Sequence, residues 1–183
     1  MPCSSCGGRR SGPANIPNTD DKLIPTYWGP LFWNYLHCLT ERIGMSGNKL
    51  IDTDESNYIT TIITLLPMIL PCIDCQAHCA EYLHSVPFPS LKGYYGSDLQ
   101  SLVRTWLFEF HNTVRTLTNQ SIIVLSADDC KLLYTGCSIT KAHYSSIVEC
   151  CTLAIQKGWV KLPYWHKWYS NSERLRLLTG IIV

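Results

Sequence analysis

The sequence carries no surplus of charge of either sign: fifteen Lys and Arg stand against fourteen Asp and Glu, a formal net charge of +1. It has no clustered cations of the kind that displace phosphate counterions, which argues against nucleic acid as a partner. Long apolar runs are also missing. The most apolar stretch, residues 58–73, is short and holds Pro67 and Pro71, so a buried helix accounts for it and a soluble protein off the membrane is expected. The N-terminal Met1-Pro-Cys-Ser-Ser-Cys-Gly-Gly-Arg-Arg lacks the apolar core of a secretory signal. Without repeats or low-complexity tracts, what is left is a chain of ordinary domain size with ample apolar content for a core.

What the chain holds in quantity is cysteine, ten residues, with six Trp and ten Tyr. Ten is too thin for a small disulfide scaffold, and it points to redox or metal chemistry. The most informative segment is Leu70-Pro71-Cys72-Ile73-Asp74-Cys75-Gln76-Ala77-His78. Pro71 suits the mouth of a helix, whose first-turn N–H groups and macrodipole favour a thiolate. Taken alone, a Cys-x-x-Cys serves equally well as half a zinc site or a structural bridge.

Residues 1–23 are poor in apolar side chains and read as a mobile arm carrying Cys3 and Cys6. A first helix is expected from Pro30, ended by Gly44 and Gly47. Asp52, Asp54 and Glu55 suit the start of a second helix, which reaches Leu70 with a kink at Pro67. A third begins near Cys72 and runs through His78 and Tyr82 until Pro87 and Pro89 stop it. Residues 86–97 read as a loop, with Ser97 or Asp98 capping the next helix. In that helix Leu99, Leu102, Val103, Trp106, Leu107, Phe110, Val114 and Leu117 recur at helical spacing. Residues 122–125 are β-prone. Ser126-x-x-Asp129 starts another helix, and residues 145–157 form one more. Strands do not alternate with helices, so an all-α bundle is expected.

Three separated segments resemble the Erv/ALR flavin-dependent sulfhydryl oxidases, most closely their short viral members. One is Tyr27-Trp28-Gly29-Pro30-Leu31-Phe32-Trp33-Asn34-Tyr35-Leu36-His37, similar to the family's Trp-x-x-Leu-His. The second is the Cys72–Cys75 segment. The third is Phe110-His111-Asn112-Thr113-Val114, similar to the start of a His-Asn-x-x-Asn motif. The resemblance covers residues 24–122 and leaves 123–183 as a helical, aromatic-rich extension. It implies a four-helix core plus a short extra helix, FAD as cofactor, and a homodimer.

Residue by residue, the resemblance gives Cys72 to incoming thiols and sets Cys75 beside the flavin. Gly29, Pro30, Trp33, His37, His78 and Tyr82 would surround the ring, and His111 and Asn112 would hold the ribose or adenine side. Cys3 and Cys6 are similar to the shuttle disulfide of long members. The family's second Asn and following Lys are replaced by Arg115 and Thr118-Asn119-Gln120; Arg115 offers a guanidinium for the phosphates, and Asn119 survives from the pattern. The implied reaction oxidises protein dithiols, among them a thioredoxin- or glutaredoxin-like carrier, and delivers electrons to O2 as hydrogen peroxide. The implied place is host cytoplasm or virion, otherwise the mitochondrial intermembrane space.

The alternative from another class is a zinc-stabilised helical interaction module using Cys72, Cys75, His78 and Cys79 or the N-terminal pair. Trp106 reads as core. Cys38, Cys79, Cys130, Cys137, Cys150 and Cys151 read as buried thiols or structural pairs, with Cys150 and Cys151 not bonded to each other.

Overall fold

A computed structural model describes residues 19–121 and 126–181, and every regular element among them is helical. After a 3-10 turn, Asp21–Leu23, come α1 (Pro25–Thr40), α2 (Lys49–Thr64), the short α3 (Leu66–Ile69), α4 (Ile73–Ser85) and α5 (Gly96–Leu117). The remaining three are α6 (Ala127–Tyr134), α7 (Lys141–Gln156) and α8 (Leu162–Leu178). The all-α expectation holds. No helix among the described residues is long and apolar enough to cross a membrane. Cys3, Cys6 and the β-prone residues 122–125 lie outside the described residues.

The first helix starts a turn earlier than expected. Pro25 takes the first helical position, where its missing N–H is no loss, and Pro30 sits inside the helix. Thr26 therefore lacks the N–H that its carbonyl would meet four residues on. Phe32, Tyr35, Leu36, Leu39 and Ile43 then bury one face at three- and four-residue steps. Residues 19–23, read from the sequence as part of the arm, are packed on the helices. Leu23 is buried, its carbonyl accepts from Trp28 Nε1, and the flanking Asp20 and Lys22 pair with Lys157 and Glu149 of α7 and its end.

Asp52 lies in the first turn of α2, as expected, but its carboxylate and that of Glu55 serve N–H groups outside this helix. Asn48 caps α2, accepting from the Leu50 N–H. Asp52 Oδ2 accepts from the Gly96 N–H at 2.8 Å, at the start of α5, and Glu55 Oε2 from the Gly44 N–H at 2.7 Å. Neither Ser97 nor Asp98 caps α5; its N-cap is Tyr95, and Asp52 supplies the acceptor from across the bundle. Gly44 has φ +73°, and a Cβ there would run into the Gly96 carbonyl, so only glycine fits. Instead of kinking, α2 ends at Thr64, and Pro67 enters the first turn of α3.

α6 opens on the expected signal, Ser126 Oγ accepting from the Asp129 N–H at 3.1 Å. α7 packs along α1 and α8 along α2, so the C-terminal segment shares the core: Trp168, Ile147, Cys150, Cys151 and Leu175 are fully buried in one apolar cluster with α1, α2 and α5. α8 has no clear sequence signal because its buried face mixes Trp165, Trp168 and Leu175 with Ser172 and Arg176. Ser172 Oγ pairs with the Tyr35 hydroxyl at 2.5 Å, which joins α8 to α1.

Candidate functional site

Cys72 and Cys75 are joined as a disulfide, with Cα atoms 5.2 Å apart. Cys72 is the N-cap of α4: its backbone is extended, and its sulfur accepts from the Cys75 N–H at 3.2 Å. A thiolate formed at Cys72 would sit at the positive end of a helix of thirteen residues. Gln76 fixes the approach to this cap. Its Nε2 donates to the Leu70 carbonyl at 2.8 Å and to the Trp159 carbonyl at 3.0 Å, holding the turn between α7 and α8 against the redox segment.

Cys75 forms part of the wall of a cavity of about 570 Å³, and Cys72 does not. The two sulfurs thus have different surroundings although they share a bond. α1 lends the cavity Thr26, Gly29, Pro30, Trp33 and Asn34, α4 lends Cys75, His78 and Cys79, and α5 with its end lends Phe110, His111, Arg115, Thr118 and Gln120. Leu66, Leu70 and Tyr134 complete a wall that is mostly apolar in surface and set with polar side chains, the usual character of a small-molecule site. Trp33 and His111 stack with centroids 4.0 Å apart and planes at 8°.

Behind that wall runs a chain of side-chain hydrogen bonds. Arg115 Nε donates to His111 Nε2 at 3.3 Å, His111 Nδ1 meets His37 Nε2 at 3.0 Å, and His37 Nδ1 meets Cys130 Sγ at 3.3 Å. Burial, with the nearby Arg115 charge, holds the His37 imidazole down to about 4. Burial first, then His37 and Arg115, holds His111 down to about 3. Both rings are neutral at pH 7. Tyr134 stacks on His37 at 4.4 Å, and Cys137, three residues later, is bonded to Cys38 of α1. α6 is thereby covalently tied to the wall it helps to build.

Of the residues proposed from sequence, Gly29, Pro30, Trp33, Cys75, His78, His111 and Arg115 line the cavity. His37 is buried behind it, 1% exposed, and touches it through the lining residues His111 and Tyr134. Tyr82 lies outside the lining because its ring stacks on Phe110 at 4.6 Å and meets Trp106 edge-on, filling the space between α4 and α5. Asn112 and Asn119 also stand outside it. Asn119 terminates α5 in a left-handed conformation, φ 54°, and Thr118 and Gln120 on either side of it reach the cavity instead. Thr26, Asn34 and Tyr134 carry no sequence signal, since their place depends on tertiary packing alone.

Among the described residues, no three of His, Cys, Asp and Glu gather as a metal site. The Cys72 and Cys75 sulfurs are bonded to each other, and burial pushes the Cys79 thiol up to about 12. Cys130, Cys150 and Cys151 are buried free thiols, and Cys151 donates to the Ile69 carbonyl.

Comparison with known proteins gives a match to the Erv1 / Alr family model over residues 30–133. A curated relative, "Putative FAD-linked sulfhydryl oxidase 096R" of Invertebrate iridescent virus 3, is 28% identical over 104 residues, 54% of this chain. The match spans 60% of that relative's length. No solved structure matches the chain.

Proposed function

The chain belongs to the Erv1/Alr family, and from that premise we propose that it is an FAD-linked sulfhydryl oxidase that makes disulfides in protein substrates. One observation carries the reading. The second sulfur of a Cys-x-x-Cys disulfide stands in the wall of a cavity that also holds a parallel Trp–His pair and a guanidinium. That lining fits the cofactor: rings and aliphatic side chains for a flat heterocycle, Thr26 and Asn34 for a polar edge, and Arg115 for the diphosphate.

The chain's own residues then divide the work. A substrate thiolate attacks Cys72, the sulfur outside the cavity wall, and displaces Cys75 as a thiolate facing the cavity. The second substrate thiol attacks the mixed disulfide and releases an oxidised product, leaving Cys72 as a thiolate held by the α4 N-terminus and the Cys75 N–H. The residues lining the cavity would hold FAD beside Cys75, and the cofactor would supply the two-electron sink, with O2 as the final acceptor and hydrogen peroxide as its product. Cys3 and Cys6 serve as the shuttle, taking electrons from protein dithiols, a thioredoxin- or glutaredoxin-like carrier among them, and handing them to Cys72. A homodimer at work in host cytoplasm or the virion is the setting that the likeness to viral members supports.

The absorption spectrum and peroxide release test the reading. Purified protein should be yellow with flavin bands and should release peroxide from dithiothreitol, and Cys72→Ser or Cys75→Ser should abolish that release. Colourless protein carrying stoichiometric zinc would sink the oxidase reading in favour of the zinc-stabilised module. For the shuttle, Cys3→Ser with Cys6→Ser should spare oxidation of dithiothreitol and slow oxidation of a reduced protein; equal rates on both would remove it.

A further inference from the structure

Cys130 takes no part in the thiol chemistry above, yet its sulfur ends the hydrogen-bond chain that begins at Arg115. The direction of that chain is forced. A guanidinium only donates, so His111 Nε2 must accept from Arg115 Nε. A neutral His111 then carries its proton on Nδ1 and donates it to His37 Nε2. A neutral His37 in turn carries its proton on Nδ1, facing Cys130 Sγ, which must accept. The opposite direction would leave His111 with no proton at all.

Such a chain can be set from either end. His37 is 1% exposed, so an Nδ1–H without an acceptor there has no water to turn to. Moving the His37 proton to Nε2 would escape that cost, but His111 would then accept on Nδ1 and turn its own N–H toward Arg115 Nε. Two donors would face each other, and the guanidinium would leave its place. Arg115 Nη1 is meanwhile anchored on the Ser121 carbonyl at 2.9 Å, so Nε and Nη1 together fix the plane of the guanidinium at the cavity wall.

We propose that Cys130 is a positioning residue for Arg115: by accepting from His37 it sets the tautomers of His37 and His111, which hold the guanidinium where the cofactor's diphosphate binds. This rests on the FAD reading for its ligand, though not for its hydrogen-bond chain. It assigns a task to a buried thiol of α6, and it accounts for how one arginine serves where the family pattern has an Asn and a Lys. The Cys38–Cys137 bond and the Tyr134–His37 stack keep α6 in place for that task.

The test uses the 183-residue chain and two readouts. Two-bond 15N–1H spectra of histidine-labelled protein should show Nδ1–H tautomers at both His37 and His111, and Cys130→Val should convert His111 to Nε2–H. FAD affinity, measured by titration, should fall roughly tenfold in Cys130→Val, the size of one hydrogen bond to a charged group, and stay near that of the unmodified chain in Cys130→Ser, whose hydroxyl accepts in the same place. In an Arg115→Gln background, Cys130→Val should cost nothing more. An Nε2–H tautomer at His111 in the unmodified chain overturns the proposal, and so do additive losses from the two substitutions. If the unmodified chain binds no FAD, the oxidase reading falls, and the tautomers alone decide whether Cys130 controls the partner of Arg115.

Discussion

The indole of Trp33 and the imidazole of His111 lie 4.0 Å apart and within 8° of parallel, one from α1 and the other from α5. Phe110 braces the indole edge-on at 5.2 Å. Two flat faces already aligned form a platform for a third ring. Trp33→Ala is expected to weaken FAD binding roughly tenfold or more, on the scale of aromatic stacking on a nucleobase, while Trp33→Phe retains most of it. Flavin absorbance remaining with the protein after gel filtration measures this; equal flavin in the Ala variant and the unmodified chain would dismiss the platform.

Glu41 at the end of α1 and Arg104 of α5 form a buried two-point pair, with both bonds at 2.6 Å, and Gln100 bonds to both residues. Removing one partner strands the other in the core. Glu41→Ala is expected to cost about 3–5 kcal/mol in urea unfolding, whereas the apolar double change Glu41→Leu with Arg104→Met should recover most of it. A single variant within about 1 kcal/mol of the unmodified chain, on the order of an exposed pair, would show that the pair is not desolvated.

The Cys38–Cys137 bond spans a sequence separation of 99. Constraint of the unfolded chain by a loop of that size stabilises by about 4–5 kcal/mol in the chain-entropy description. Cys38→Ser with Cys137→Ser should therefore lower the melting temperature far more than Cys72→Ser with Cys75→Ser, whose loop is three residues. Calorimetry of both pairs without reductant makes the comparison, and equal shifts would count against it.

His37 and His111 take up protons only near pH 4 and 3 in the folded chain, against an ordinary value of 6.5. The unfolded chain binds more protons between those limits, so stability is full above pH 6.5 and falls as the pH drops toward 4, by about 1.4 kcal/mol per pH unit for each ring. Arg115 is the nearest cation, and Cys130 and Tyr134 face the same rings. Urea midpoints between pH 7 and 5 should decline, and the slope should flatten in His37→Gln with His111→Gln. A slope unchanged by that double substitution would place its origin elsewhere.

The sequence made the redox centre and the helices nearest to it legible, because their signals are local. Pro71 ahead of Cys72, the Ser126-x-x-Asp129 cap and the stripe of α5 each need only a few neighbouring residues to be read. Capping of α5 by Asp52, the cavity's use of Tyr134 and the partner of Cys38 were hidden, since each joins residues 44 to 99 positions apart. Tyr82 shows the limit of helical spacing: it shares a face with Cys75 and His78, yet Phe110 and Trp106 claim its ring. Arg115 shows the reverse, a departure from the expected motif that nonetheless lines the cavity.

The bond between Cys38 and Cys137 also decides what a protease can do to this molecule. Any single cut between those two residues opens the backbone without releasing a fragment, because both pieces stay attached through sulfur. Such a nicked chain would migrate as one species on a non-reducing gel and as two after reduction. The helices that meet around the cavity, from α1 through α6, would remain one covalent body after the break.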